Sequence, residues 1–284
     1  MDAVVLALLS ALLFGAMTVA LRFALARAPD AEAGALLTIV PALAVVVPFA
    51  VAQGGDPADA WPFLLAGLLG PGLSQVLFTV AVREAGPSRT SVVVGTAPLF
   101  AVVIAIVFLG EPLVAPLAVG ALLIVAGGIL LALERGRPAH VRLLGLAFAL
   151  GSTLVFAVRD NLVRWLSTDT DVPPALAAAA TLAAGSLAVA AYLAATRRGT
   201  PPTPRVWRRF VAPGMMFGLS YVCLFEAYYR GPVTVVSPLV ATESLWGVAF
   251  SVLLLRRHER VGARLALGAM LVVVGGALIG AFRA

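Results

Sequence analysis

Three charged side chains lie deep within long apolar stretches of this chain, where ionisable groups are costly. Glu243 lies near the middle of the apolar run 233–255, and Arg159 and Asp160 lie inside the run 142–165. An ionised side chain in an apolar medium must be paired, hydrogen-bonded or neutralised by a proton. Residues of these types at these depths therefore indicate a site for protons or for the charged groups of a ligand.

Glu243 shares one predicted helical face with Val240, Trp246, Gly247 and Phe250, which recur at helical spacing. A carboxyl group in such surroundings can exchange a proton or balance a cationic group on a ligand. We interpret Glu243 as a proton-coupling site or as the counter-charge for a substrate. The alternative is a protonated glutamate that only hydrogen-bonds to a neighbouring helix.

Arg159 and Asp160 are neighbours in the sequence, so a helix separates their side-chain directions by about 100°. Asp160 and Arg164 are four residues apart and are expected to form a pair. We expect Arg159 or Asp160 to face the bundle interior. A guanidinium there would bind a carboxylate or phosphate or pair with Glu243. The alternative is a cluster at the membrane interface, with the long side chain reaching towards the head groups.

Three uncharged polar residues also lie in the middle of apolar runs and are weaker candidates. They are Gln75, Ser220 and Tyr221. Such groups either hydrogen-bond to neighbouring helices or line a cavity between them. We predict that Tyr221 and Trp246 form aromatic walls around the ligand.

The composition places the chain in a membrane. Its 284 residues are 61% hydrophobic and only 12% charged, with a mean hydropathy of +1.03, whereas a soluble domain has about 25% charged residues. The formal charge of +6 comes from arginines at the ends of apolar runs. That placement is typical of membrane proteins and does not favour nucleic-acid binding.

The sequence carries no pattern for a metal, nucleotide or enzyme site. Its one cysteine excludes an intrachain disulfide, and its two scattered histidines make no metal site. Nothing matches the phosphate-binding pattern GxxxxGK[ST], the HExxH pattern or a Ser/His/Asp arrangement. We therefore predict no cofactor, no metal and no enzymatic activity. An integral-membrane lipid enzyme is a distant alternative.

Ten apolar runs can be marked, most of them near the roughly 20 residues that a helix needs to cross a bilayer. They lack the alternation of barrel strands, so each is predicted to be a helix. The runs are 3–24, 34–52, 62–83, 90–109, 115–133, 142–165, 174–195, 208–229, 233–255 and 262–282. The predicted fold class is an all-α integral membrane protein with ten transmembrane helices.

The runs repeat between the two halves of the chain. LAVGALLIVAGGIL in the fifth run matches LALGAMLVVVGGAL in the tenth, and the first and sixth runs align Phe14 with Phe156. We predict two five-helix repeats, 1–134 and 141–284. Because five is odd, the second repeat enters the membrane from the opposite side. Substrate sites of such inverted repeats lie near the midplane.

These motifs resemble the ten-helix transporters of the drug/metabolite transporter superfamily, specifically the EamA type. The resemblance covers essentially the whole chain and rests on ALLFGAMTVALRFAL, TAPLFAVVIAIVFLGEPL and TESLWGVAFSVLLLRRHERV. It implies a carrier of amino acids, sugars, nucleotides or other metabolites. The second half departs from the first where Glu243 falls opposite Thr96–Pro98, and where Arg159–Asp160 falls opposite Met17–Thr18.

We therefore predict a secondary active transporter that works by alternating access. Its substrate is expected to be a small polar metabolite, with proton-coupled export of an amino-acid-like compound as the leading hypothesis. The alternative keeps the fold but exports a lipophilic cation, which Glu243 would bind between aromatic side chains.

The arginines predict an orientation in the bacterial inner membrane. Sixteen of them flank the connections after the odd-numbered runs, and three lie on the other face. The positive-inside rule then places both termini outside, whereas the family resemblance implies both termini inside. Expected partners are the substrate and membrane lipid, not nucleic acid. A homodimer through the fifth and tenth runs is a further expectation, because their glycine faces suit close helix packing.

Overall fold

The computed structural model describes residues 1–26, 30–86, 90, 93–112, 114–132, 143–196, 203–255 and 263–282. Every element assigned within these residues is helical. Six helices are long and apolar enough to cross a membrane, and shorter apolar helices lie beside them. A bilayer offers no water to the backbone, so a spanning segment must satisfy its hydrogen bonds internally, as a helix does. The predicted all-α membrane fold is confirmed.

The helices follow the predicted runs closely. In chain order they are α1 (Ala3–Leu25), α2 (Ala31–Gln53), α3 (Pro62–Ala85), α4 (Ala97–Leu109), α5 (Ala115–Ala132), α6 (Leu143–Asp169), α7 (Pro174–Thr196), α8 (Pro204–Arg230), α9 (Val233–Val240), α10 (Glu243–Leu255) and α11 (Ala263–Phe282). A short 3-10 turn at Pro57–Ala60 precedes α3.

Helix ends differ from the predicted ends where a cap fixes them. The carboxylate of Asp30 accepts a hydrogen bond from the Glu32 amide at 3.1 Å, so α2 begins at Ala31 and not at residue 34. An N-cap aspartate satisfies one of the amides that a helix leaves free at its start. After α4, Gly110 adopts a left-handed conformation, with φ of 66°, which ends that helix.

The ninth run is not one helix, because it breaks between α9 and α10. Pro238 lies inside α9, which continues to Val240. The Thr242 amide then donates to the Leu239 carbonyl at 3.1 Å, and the Thr242 hydroxyl donates to the same carbonyl at 2.7 Å. These bonds close a tight turn that satisfies the backbone, and Glu243 becomes the first residue of α10.

A second irregularity lies inside α3, where Leu68–Ser74 forms a π-helical segment around Pro71. The wider coil displaces the proline ring and frees carbonyl groups from the ordinary ladder. The Ser74 hydroxyl donates to the Gly70 carbonyl, and the Ser152 hydroxyl donates to the Ser74 carbonyl at 3.2 Å. Side chains on α3 and α6 thus supply the hydrogen bonds that this segment needs.

Small residues let the helices cross closely. A methyl group added at Gly120 would lie 2.9 Å from the Gly275 carbonyl oxygen, and one at Gly127 would lie 2.6 Å from the Gly268 carbonyl oxygen. The glycine faces of α5 and α11 therefore pack against each other within one chain. A homodimer through these helices, which stays a prediction, would have to use their outward faces, where Leu122 and Met270 are exposed.

Candidate functional site

A small cavity lies where α1, α6 and α8 meet the two ends of the break between α9 and α10. Its polar side chains are Ser10, Arg159, Asp160, Ser220, Tyr221, Ser237 and Glu243. The cavity holds about 40 Å³, and one buried water needs about 10–15 Å³. It therefore has room for about three waters.

Arg159 makes a hydrogen bond and two cation–π contacts at this cavity. It is only 5% exposed, and its Nη1 donates a hydrogen bond to the Tyr221 hydroxyl at 2.6 Å. The guanidinium carbon lies 5.1 Å from the centre of the Phe156 ring and 5.4 Å from the centre of the Tyr221 ring. Two cation–π contacts and one hydrogen bond thus hold the guanidinium in place.

Asp160 lies against the same guanidinium, which corrects the expectation that only one of these two residues faces the bundle interior. The Arg159 Nε and the Asp160 Oδ1 are 2.7 Å apart, because the arginine side chain is long enough to reach its neighbour in the sequence. Neither atom has a hydrogen bond of good geometry, so the two form an ion pair by proximity alone. Arg164 does not pair with Asp160 as expected and donates to the Tyr228 carbonyl at 2.8 Å.

Gly70, in the π-helical segment of α3, makes room for this arrangement. A methyl group at Gly70 would lie 2.9 Å from Cγ of Arg159 and 3.3 Å from the Tyr221 hydroxyl oxygen. Such distances are too short for an undisturbed arginine. The irregular turn of α3 therefore positions the side chain that carries the positive charge.

Glu243 lines the cavity from the first turn of α10 and is 5% exposed. Within the described part of the chain its carboxyl group has no hydrogen-bond or ion-pair partner, although Asp160 and Arg159 line the same cavity. The positive end of the helix dipole stabilises an anion at this position. Glu243 is therefore the acidic group of the cavity that is available to a proton or to a ligand.

Trp246 lies away from the cavity, one turn along α10. Its ring centre is 6.4 Å from that of Phe250, and a methyl group at Gly15 would lie 2.7 Å from Cβ of Trp246. The residue therefore packs against α1. The aromatic side chains at the cavity are those of Phe14, Phe156 and Tyr221.

The three uncharged candidates separate into two groups. Tyr221 and Ser220 line the cavity, and the Ser220 hydroxyl bridges to α1, 2.9 Å from the Ser10 hydroxyl. Gln75 is fully buried elsewhere in the bundle, and its amide has no hydrogen-bond partner among the described residues. The sequence could have indicated Phe14 and Phe156, because they align with each other between the first and sixth runs.

A larger cavity of about 630 Å³ lies between α3, α6 and α7. Its walls are mostly apolar side chains such as Leu68, Val76 and Phe148, and Glu32, Arg83 and Glu84 also line it. Size alone does not identify a binding site, because specificity requires polar groups that converge on one ligand. We assign the site to the smaller cavity, where three buried ionisable side chains meet.

The family model of EamA-like transporters matches residues 1–133 and 143–281. The chain belongs to the EamA-like transporter family. One solved crystal structure is similar to it with a TM-score of 0.80 and 20% identity, over 99% of this chain and 97% of the other. At that identity the likeness shows the fold alone, and no curated protein matches the sequence. This EamA-like chain is thus a membrane transporter of the drug/metabolite type whose substrate must be inferred from its own cavity.

Proposed function

We propose that this chain is a secondary carrier of the bacterial inner membrane that exports a small amino-acid-like metabolite by alternating access. The observation that carries the proposal is the meeting of Arg159, Asp160 and Glu243 at one buried cavity. Buried charges of both signs match a ligand that carries both a carboxylate and an ammonium group. The free-energy cost of burying these charged side chains in a membrane is hard to explain in a protein that binds no ligand.

The two ends of such a ligand would bind different helices. The guanidinium of Arg159 offers paired N–H groups that suit a carboxylate, and Glu243 offers an acceptor for an ammonium group. Phe14 and Phe156, whose ring centres are 6.3 Å apart, would pack against the apolar part. The ligand would thus bridge α6 and α10.

Proton coupling follows from a shared carboxyl group. Glu243 can hold a proton or the ammonium group of the ligand, but not both at once. Binding of the substrate on one side of the membrane would then release a proton, and a proton from the other side would displace the substrate. That competition gives antiport without any ATP-hydrolysing module.

Alternating access requires elements that bend. The turn between α9 and α10 and the π-helical segment of α3 both adjoin the cavity, at Glu243 and Arg159 respectively. Secondary transporters commonly form their substrate sites from discontinuous helices near the midplane. The distribution of arginines supports a cytoplasmic location for the C-terminal ends of α1, α3, α5, α7 and α10.

One observation favours the alternative substrate class, a lipophilic cation. Arg159 already lies against Asp160, so the charges of these two side chains cancel and Glu243 alone would be left unbalanced. A monovalent organic cation would then bind Glu243 and keep the cavity neutral. Direct comparison of the two substrate classes in one flux assay separates them.

The test uses purified protein in proteoliposomes with a pH gradient. Fluxes of radiolabelled neutral L-amino acids and of tetraphenylphosphonium are measured for the wild type, Glu243→Gln and Glu226→Gln. Glu226 is a matched control, because it is also buried but pairs with Arg230 away from the cavity. We expect gradient-driven amino-acid flux that Glu243→Gln abolishes and Glu226→Gln retains. Absence of amino-acid flux, or full gradient-driven flux in Glu243→Gln, would overturn the proposal.

A further inference from the structure

We propose that Asp160 is a built-in substitute for the carboxylate of the substrate. It neutralises Arg159 while the carrier is empty, releases Arg159 when a substrate carboxylate arrives, and thereby lets the empty carrier change its access side. The inference rests on the proposed function, and it assigns Asp160 a positioning role distinct from that of Glu243.

The ion pair of Arg159 and Asp160 lies within one helix, so both residues move together with α6. The two are consecutive residues of α6, with 2.7 Å between the Arg159 Nε and the Asp160 Oδ1. Helices of a carrier move largely as rigid bodies between access states. A charge pair between two helices would be broken by such a movement, but one within a single helix persists in both states.

The same pair is close but poorly aligned. The Arg159 Nε and the Asp160 Oδ1 are buried, and neither makes a hydrogen bond of good geometry. A free carboxylate can align with two N–H groups of a guanidinium at once, which gives a stronger contact. A substrate carboxylate can therefore displace Asp160 by offering better geometry to the same cation.

Arg159 need not move during this exchange. Tyr221 accepts its Nη1 hydrogen bond at 2.6 Å, and the rings of Phe156 and Tyr221 flank the guanidinium. Only the short Asp160 side chain must turn aside. The Tyr228 hydroxyl lies beside Asp160 without a well-aligned hydrogen bond in this structure, so it is positioned to receive the released carboxylate.

The consequence concerns two different steps of the transport cycle. The loaded carrier has a substrate carboxylate on Arg159 and does not need Asp160 as the partner of that cation. The empty carrier without Asp160 would carry a buried, unpaired guanidinium, which opposes any movement through a low-dielectric barrier. Loss of the Asp160 charge should therefore slow the return of the empty carrier and spare the transit of the loaded one.

The test compares two fluxes of radiolabelled neutral L-amino acids in the same proteoliposomes. Equilibrium exchange uses only the loaded carrier, whereas net efflux into substrate-free buffer also needs the empty one. We expect Asp160→Asn to lower net efflux by at least about tenfold relative to exchange, since a buried charge loses its partner. Asp160→Glu should keep the wild-type ratio of the two fluxes, and so should Glu226→Gln.

A chemical rescue separates this role from a structural one. Formate, the smallest carboxylate, should restore net efflux in Asp160→Asn when it is present on both sides, and it should not change the control variants. Asp160→Asn is purified in formate for the same reason. If that variant still fails to fold, Asp160→Glu decides, and a fall in its flux ratio would overturn the inference.

Two other outcomes separate a failure of the role of Asp160 from a failure of the proposed function. Equal slowing of exchange and net efflux in folded Asp160→Asn, or no change in either, would overturn the role of Asp160 while leaving the carrier function intact. A wild-type protein that moves no amino acid in either assay would overturn the proposed function itself.

Discussion

The two walls of the cavity are built alike but carry different charges. In the first half of the chain, the Thr96 hydroxyl donates to the Val93 carbonyl at 2.6 Å, just before α4 begins. In the second half, the Thr242 hydroxyl donates to the Leu239 carbonyl at 2.7 Å, just before α10 begins. The same threonine turn thus breaks both runs beside the cavity.

The residue after each turn differs in kind. Ala97 follows Thr96 and lines the cavity without a charge, whereas Glu243 follows Thr242 and lines it with a carboxyl group. The turn forms equally well with alanine, so the backbone does not require a glutamate. We therefore propose that the charge at Glu243 serves a ligand or a proton.

The serine contacts of α1 and α6 also combine a shared structural feature with a difference in charge. Ser10 on α1 contacts Ser220 on α8, and Ser152 on α6 contacts Ser74 on α3. Both halves therefore use serines to join neighbouring helices, but of these two helices only α6 brings a buried cation, Arg159, to the cavity. The predicted division into two repeats would relate these contacts by symmetry, and the charged residues would be the departures from it.

The largest expected effect on transport comes from removing Arg159, the buried cation that the second half of the chain brings to the cavity. Arg159→Gln leaves the Asp160 carboxyl without its ion-pair partner, and the substrate carboxylate loses its binding group. We expect amino-acid flux to fall by more than about 100-fold, as for other buried pairs broken on one side. Proteoliposome flux measures it. Arg230→Gln is the control, because that arginine is half-exposed and pairs with Glu226 away from the cavity; an equal loss in both variants would refute a special role for Arg159.

A smaller effect on transport is expected at Gly70 of α3, which belongs to the first half of the chain and only positions Arg159. Gly70→Ala would place a methyl group 2.9 Å from Cγ of Arg159, so the guanidinium must shift. Substrate affinity should weaken roughly tenfold, since catalytic and binding geometries lose strongly with shifts near 1 Å. Gly276→Ala is the control, because its nearest neighbour would be 3.8 Å away. Unchanged affinity in Gly70→Ala would show that the π-helical segment does not position Arg159.

The smallest effect is expected at a contact between the halves that lies outside the cavity. Glu111 accepts hydrogen bonds from the Val233 and Thr234 amides, each at 2.8 Å, and so caps α9 from the end of α4. Glu111→Ala should lower the unfolding free energy by about 1 kcal/mol, the usual value of a helix cap. Thermal unfolding in detergent measures it, with Glu111→Gln expected to lose less. Loss of transport in a stable Glu111→Ala protein would contradict a purely structural role.

Much of the fold can be predicted from the sequence, because apolar runs of bilayer length have few other solutions. The cost of a buried charge likewise makes Arg159, Asp160 and Glu243 the leading candidates on sequence alone. Periodicity cannot locate the turn at Thr242, because a side-chain hydrogen bond closes it within an apolar run. Nor can helical spacing show that Arg159 contacts Asp160, since the arginine side chain is long enough to leave its own face of the helix.

Two predictions remain predictions. One is the division into inverted repeats at 1–134 and 141–284, and the other is the orientation of the chain, which calls for a direct test. A C-terminal reporter that is active only in the cytoplasm would provide it. The arginine distribution predicts no signal from that reporter, and a strong signal would place both termini inside.

The most direct test of proton coupling moves the carboxyl group from one wall of the cavity to the other. Gradient-driven amino-acid flux is measured in proteoliposomes for Glu243→Ala alone and for Glu243→Ala combined with Ala97→Glu. We expect the single variant to lose its dependence on the pH gradient and the double variant to regain part of it, because both positions follow a threonine turn and line the same cavity. Wild-type dependence on the gradient in Glu243→Ala alone would contradict the central claim that this carboxyl group couples protons to the substrate.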